Sequence, residues 1–310
     1  MKRSLFITAL VGAAMSQTGC APGSADAAQE EILKEREARF ANALASSDTT
    51  GDTPLARWNL PQTLAEISGL VLTSDERMLA HGDENATVSE IDYKRGVIVK
   101  HFLVGETVVR DDFEGMARID DRLFLMTSAS KLYEFTEGQN KSQVPYAVHD
   151  AGLGKECEFE GLGYDPASKS LLLPCKNVKT PELKDQLVIY RWSIDSSAAP
   201  RASRVAVPLA TIIGSHDWEA FHASDITVDP VTGNYVLVSA QEKGLIVLTP
   251  AGELVSSRQL ADVHNQVEGI AITKDGVLII SDEVGKDKPA AITLYRWRST
   301  NAPEATAPQK

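Results

Sequence analysis

Three glutamates, Glu114, Glu160 and Glu268, each stand directly before a glycine, and two residues earlier the chain carries Asp112, Glu158 and Gln266. Carboxylates brought together from separate segments repel one another and raise each other's pKa unless a cation sits between them. Calcium suits such a set, because it takes several oxygen ligands in irregular geometry, whereas these positions supply no His or Cys pair for zinc. The spacing therefore predicts a calcium site built from Glu114, Glu160 and Glu268 and joined by Asp83 or Asp282. The same side chains could instead accept hydrogen bonds from backbone groups and latch neighbouring units together without a metal.

Other residues offer weaker chemistry. His81-Gly82-Asp83-Glu84 and Ser281-Asp282-Glu283 are acidic pairs that could bind metal, act as acid and base, or cap solvated turns. His216-Asp217-Trp218-Glu219 reads as a capped loop rather than a catalytic triad, since no Gly-x-Ser-x-Gly elbow is present. Cys157 and Cys175 flank one predicted hairpin and could form a disulfide in an oxidising compartment or remain two buried thiols.

The elements that must position these residues form a repeat. Its signature is an acidic or polar residue, any residue, then Glu-Gly and an aliphatic residue. Copies centre on Gly69, Gly115, Gly161 and Gly269, with a degenerate copy at Asp225, where Ser224-Asp225 replaces Glu-Gly. In the first copy Ser68 takes the Glu position. The intervals are 46, 46, 64 and 44 residues, the long one reflecting an insertion within residues 177–216. Each copy continues as strand, turn and second apolar strand, as in Leu162-Gly163-Tyr164, the turn at Asp165-Pro166, and Ser170-Leu171-Leu172-Leu173. A period of about 45 residues with several strands per unit predicts a propeller blade. The expected fold is an all-β, five-bladed β-propeller over residues 55–298, in which the strand at residues 56–60 completes the last blade. In this fold the innermost strands line a channel, so the three glutamates share one ring.

Before the propeller, Lys2, Arg3 and the apolar run at residues 5–15 read as a signal peptide, too short to span a bilayer as a mature helix. Gln17-Thr18-Gly19-Cys20 resembles a lipobox, which makes residues 1–19 a lipoprotein signal and Cys20 the lipid-bearing residue; cleavage after Ala25-Asp26-Ala27 would instead release a soluble periplasmic or secreted protein. Ala21 after the cysteine points to the outer membrane. Residues 20–54 read as a tether, with an Ala- and Glu-rich stretch at 28–45 able to form a loose helix or stay disordered, and residues 299–310 as a disordered tail. Losing Lys2 and Arg3 with the signal takes the formal charge from −12 to −14. A chain this acidic should not bind nucleic acid through its phosphates. Its protein or small-molecule partner is not legible in these residues.

The runs Leu64-Ala65-Glu66-Ile67-Ser68-Gly69-Leu70, His81-Gly82-Asp83-Glu84, Asp112-Phe113-Glu114-Gly115, Cys157 to Gly161 and Cys175-Lys176 resemble the bacterial SdiA-regulated family. That resemblance implies a five-bladed propeller distantly similar to NHL-repeat propellers, with a precedent for calcium, and it implies no reaction. Two functions are therefore expected: a calcium-binding propeller acting as a binding module at the cell envelope, or a calcium-dependent hydrolase of lactonase or phytase type. Few basic residues lie near the acidic motifs, Arg110, Arg118 and Lys176 being the nearest, and this disfavours a phosphoester substrate.

Overall fold

In the computed structural model, residues 23–46, 52–194, 197, 201–214 and 216–299 are described. Cys20 and the signal peptide lie outside these residues, as does the tail beyond residue 299. A helix, α1 (Gly23–Ala45), comes first, followed by the closing strand β1 (Ala56–Asn59). Five sheets follow, antiparallel but for one short strand. The first contains β2 (Ile67–Leu72), β3 (Met78–Gly82), β4 (Thr87–Asp92) and β5 (Val97–Val104), and the second β6 (Phe113–Ile119), β7 (Arg122–Thr127) and β8 (Lys131–Thr136). A short β9 (Gln143–Val144) returns to pair parallel with β5, and β10 (Tyr146–Asp150) then finishes the second blade. The third has an interrupted inner strand, β11 (Cys157–Phe159) and β12 (Gly163–Asp165), then β13 (Ser170–Val178), β14 (Gln186–Ser193) and β15 (Ala202–Pro208). After a short helix α2 (Leu209–Ile213) come β16 (Asp225–Val228), β17 (Tyr235–Ser239), β18 (Gly244–Leu248) and β19 (Leu254–Gln259). The last blade is β20 (Val267–Ile272), β21 (Val277–Asp282) and β22 (Ala291–Arg296), with β1 antiparallel on its outer edge, Ala56 opposite Leu294 and Asn59 opposite Ala291.

The apolar pattern explains the stacking. The second strand of each blade is buried on both faces, so it reads as a continuous apolar run whose alternate residues serve different gaps. Along β21, Val277 and Ile279 enter the gap towards the first blade, while Leu278 and Ile280 enter the gap towards the fourth. Along β7, Leu123 and Leu125 face the first blade, and Phe124 and Met126 face the third. Five such clusters fill the five gaps and hold the ring by burial of apolar surface.

The repeated glycine marks the point where the inner strands converge. A Cβ at Gly115 would meet the carbonyl carbon of Gly161 and the nitrogen of Leu162 at 2.5 Å, and one at Gly69 would approach the Gly115 Cα at 3.3 Å. Only a residue without a side chain allows backbones this close.

Two segments differ from the simplest expectation. The stretch read as a tether forms α1 and docks: Phe40 is buried against Tyr93 in edge-to-face geometry at 6.5 Å, and Arg36 lies 5.2 Å over the Trp58 ring. Phe40, Ala43 and Leu44 share one helix face at i, i+3 and i+4, which supplies the apolar contact. In the insertion, Ile212 of α2 and Trp218 join Leu187, Val207 and Phe221 in the gap between the third and fourth blades.

Candidate functional site: the axial carboxylates

The glutamates reach the axis because each lies at an irregularity of its inner strand. The ladder register shifts between Phe113 and Gly115, between Val267 and Gly269, and between Ile67 and Gly69, leaving Glu114, Glu268 and Ser68 as bulge residues. A bulge takes one residue out of the pairing and re-aims its side chain. In the third blade the break is larger. Glu160, Gly161 and Leu162 separate β11 from β12, with Gly161 at φ 82°.

These three carboxylates form one electrostatic group. Glu160, with a side chain 5% exposed, pairs with the Lys176 ammonium from the end of β13 and shares a hydrogen bond with Glu268. Burial, then the charge and hydrogen bond of Glu160, push the Glu268 carboxyl up to about 11. Burial, then the charges of Glu160 and Asp112, push Glu114 up to about 8, against the opposing pull of Lys176. Lys176 acts on Glu160, Glu268 and Glu114 alike; burial alone would depress its pKa, and these ion pairs turn the shift upward.

Asp83 belongs to the rim of the same group. Burial raises its pKa, helped by Glu84 and Asp112, and its charge in turn acts on Glu114. Asp282 does not face the group. It is buried in the last blade, bonded to Arg57 at 3.2 Å, to His264 Nδ1 at 2.9 Å and to the backbone N–H of Asn265 at 3.0 Å. Its neighbour Glu283 faces the axis instead, its pKa raised by burial and by the charges of Asp83, Glu160 and Glu66. Successive residues at a strand end point to opposite sides, so a shift of one residue decides which acid joins.

The latch reading has its own residue, Asp225 of the degenerate copy. Its carboxylate accepts the N–H of Leu162 at 3.2 Å and that of Ile270 at 2.8 Å, tying the third and fifth blades across the fourth. Burial holds its pKa well above the usual range. At the weak first copy, Ser68 Oγ donates to the Phe113 carbonyl of the second blade at 3.0 Å. Both departures from Glu-Gly thus make contacts between blades.

Other residues singled out in the sequence lie beside this group or away from it. Cys157 and Cys175 are joined by a disulfide, with Cα atoms 5.6 Å apart, which ties β11 to β13 directly before Lys176. Glu242 accepts from the backbone and holds the Nδ1 of His222, at 2.9 and 2.8 Å, at the position equivalent to Asp112 and Glu158. His216 stacks on Trp218 at 4.0 Å and bonds Ser257, so it packs the inserted loop against the fourth blade. On the opposite face the inner strands line a cavity of about 330 Å³, with Leu72, Arg118, Tyr164, Val228 and Ile272 among its walls.

The SdiA-regulated family profile matches residues 54–283, which spans all five blades to the end of β21. The chain belongs to the SdiA-regulated family. Among curated proteins none matches it. Among solved structures it is similar to glutaminyl cyclase of Myxococcus xanthus, with a TM-score of 0.53 and 14% identity over 80% of this chain and 97% of that one. A luciferin-regenerating enzyme gives a TM-score of 0.50 and 8% identity over 80% of this chain and 98% of that one. Virginiamycin B lyase from Staphylococcus aureus gives 0.41 and 11%, over 78% and 73%. At these identities the likeness is one of fold.

Proposed function

We propose that this family member is an exported, lipid-anchored binding propeller whose axial carboxylates hold calcium. The carrying observation is the crowding of acids: Glu114, Glu160 and Glu268, with Asp83 and Glu283 nearby, raise one another's pKa, and among the described residues Lys176 is the cation that acts on all three glutamates. The donor set fits a hard cation, since every group is an oxygen, and a bound cation would displace the protons that burial and mutual repulsion keep on two of the glutamates. Among the described residues no three such side chains already stand at ligating distance of one point, so binding requires the carboxylates to close in and the Lys176 ammonium to leave Glu160. Its side chain is 37% exposed, which leaves the ammonium a path to water.

In this reading Glu114, Glu160 and Glu268 are the ligands and Asp83 supports them from the rim. Bound calcium would neutralise the cluster and polarise an oxygen of whatever enters the mouth. Asp282 has no part in the set, being committed to Arg57 and His264. Anchoring at the envelope through Cys20 rests on the residue pattern of the N-terminal segment.

One observation favours calcium-dependent hydrolysis as a second reading, in which Glu160 and Glu268 hold the metal and Glu114 stays free of it. Glu114, held at about 8, carries a proton at neutral pH beside a positively charged lysine, as a general acid at the channel mouth would. Thermal unfolding of wild type and Glu160→Gln with calcium, magnesium or chelator tests the first reading. A calcium-specific rise in Tm that the substitution removes is expected, and no rise in wild type would overturn it.

A further inference from the structure

We propose that the axial mouth is a seat for an aliphatic primary ammonium group, and that Lys176 is its tethered, displaceable occupant. This rests on reading the mouth as a cation seat and names a second class of ligand for it. The protein itself places an alkylammonium there: Lys176 Nζ pairs with Glu160 Oε2 and interacts with Glu268 and Glu114.

A second feature, independent of the acids, points the same way. His81 is fully buried, and its Nδ1 lies 2.9 Å from the Gly82 carbonyl, which fixes the proton on that nitrogen and leaves Nε2 a bare acceptor. Nε2 has no partner. The ring occupies the space over Gly69, at 2.6 Å from where a Cβ would stand, and that position is 3.3 Å from the Cα of Gly115. Nε2 therefore lies at the backbone junction of the first two blades, beside Gly69 and near Gly115, the residue that follows Glu114 in the chain. Ser281 Oγ repeats the arrangement over Gly269, one residue from Glu268, and is likewise buried without a partner.

An ammonium has three N–H donors and no acceptor, so carboxylate oxygens together with an acceptor nitrogen and a hydroxyl oxygen at the neighbouring glycines match its needs. Calcium selects oxygen, and nothing in its coordination uses an imidazole acceptor. Lys176 follows the disulfide-bonded Cys175, so its backbone is fixed while its partly exposed side chain can swing out. A small alkylamine, a diamine or the side chain of a lysine on another protein could then take its place.

Calorimetric titration of the full chain with 1,4-diaminobutane tests this, with tetramethylammonium as a cation lacking N–H and calcium as a separate titrant. A tethered competitor acts at high effective concentration, so Lys176→Met is expected to bind the diamine about tenfold or more tightly than wild type. Glu160→Gln should lose diamine binding, and tetramethylammonium should not bind either protein. In the Lys176→Met background, His81→Phe should weaken the diamine and leave calcium unchanged, provided its melting curve shows a folded protein. Diamine affinity unaltered by Lys176→Met, absent from both proteins, or equalled by tetramethylammonium overturns the proposal. Calcium binding without diamine binding overturns it while the calcium reading stands; binding of neither overturns both.

Discussion

Raising the pH of the metal-free protein should destabilise it across a range where most proteins hardly respond. Glu114 is held at about 8 and Glu268 at about 11, against 4.5 for a free glutamate. In the folded state both keep their protons near neutrality, while in the unfolded chain both are ionised. The folded state thus binds more protons, and stability falls as pH rises from the unfolded value towards each folded one. Two groups over the span from about pH 6.5 to about pH 8 set a ceiling of about 4 kcal/mol, at ~1.4 kcal/mol per pH unit each. Partial exposure of Glu114 and the electrostatic coupling of the two groups to their neighbours reduce this to about 2 kcal/mol.

Asp225, Asp83 and Glu283 are raised as well and act in the same direction, so they leave a residual fall in the double variant, whereas the remaining shifted groups do not interfere in that window. His81, buried and lowered to about 4, gains stability with rising pH only up to its free value of 6.5. Glu134, Glu137 and Glu242, whose pKa values are lowered by hydrogen bonds and ion pairs, complete their contribution below it. Lys176, raised from 10.5, stays charged throughout. Scanning calorimetry in chelator should therefore show Tm falling by about 4–8 °C between the two pH values, with the slope much reduced in Glu114→Gln/Glu268→Gln. A Tm that is flat or rises over this range in wild type would refute the assignment of buried, protonated glutamates.

Asp225→Ala should cost about 2–4 kcal/mol in urea unfolding, because it strands the buried N–H groups of Leu162 and Ile270, and Asp225→Asn should cost less. Reducing or replacing the Cys157–Cys175 disulfide, which spans 18 residues, should lower stability by about 3 kcal/mol, read by the same assay. Phe40→Ala should release α1, so that limited proteolysis cuts within residues 23–45 faster while the propeller fragment stays intact.

Much of the fold is written in the repeat. Gly69, Gly115, Gly161 and Gly269 are recognisable because close approach of inner strands tolerates no side chain, and the turn signals follow at fixed distances. Glu114, Glu160 and Glu268 come together because equivalent positions around a ring must converge. Asp225 is different. Its departure from glycine looks like decay of the motif, yet its carboxylate bridges two other blades, a contact set by three-dimensional register that one repeat cannot reveal. Lys176 was visible only as a nearby basic residue, and its place among the acids depends on how far β13 extends beyond the disulfide. The residue pattern puts Asp282 beside the glutamates, yet it turns into the last blade while Glu283 joins the acids, a difference of one residue of strand parity. The docking of α1 is carried by Phe40 and a few small neighbours, too weak an apolar stripe to separate from a free tether.

The most direct test of the axial calcium site is the number of protons released when calcium binds. Titration calorimetry near neutral pH in buffers of different ionisation enthalpy measures it. Calcium binding at Glu114, Glu160 and Glu268 must drive off the protons that burial keeps on Glu114 and Glu268, so about one to two protons per calcium are expected, with binding and release both lost in Glu160→Gln. Calcium that binds without releasing protons, or with an affinity indifferent to Glu160→Gln, would place the ion elsewhere and contradict the axial site.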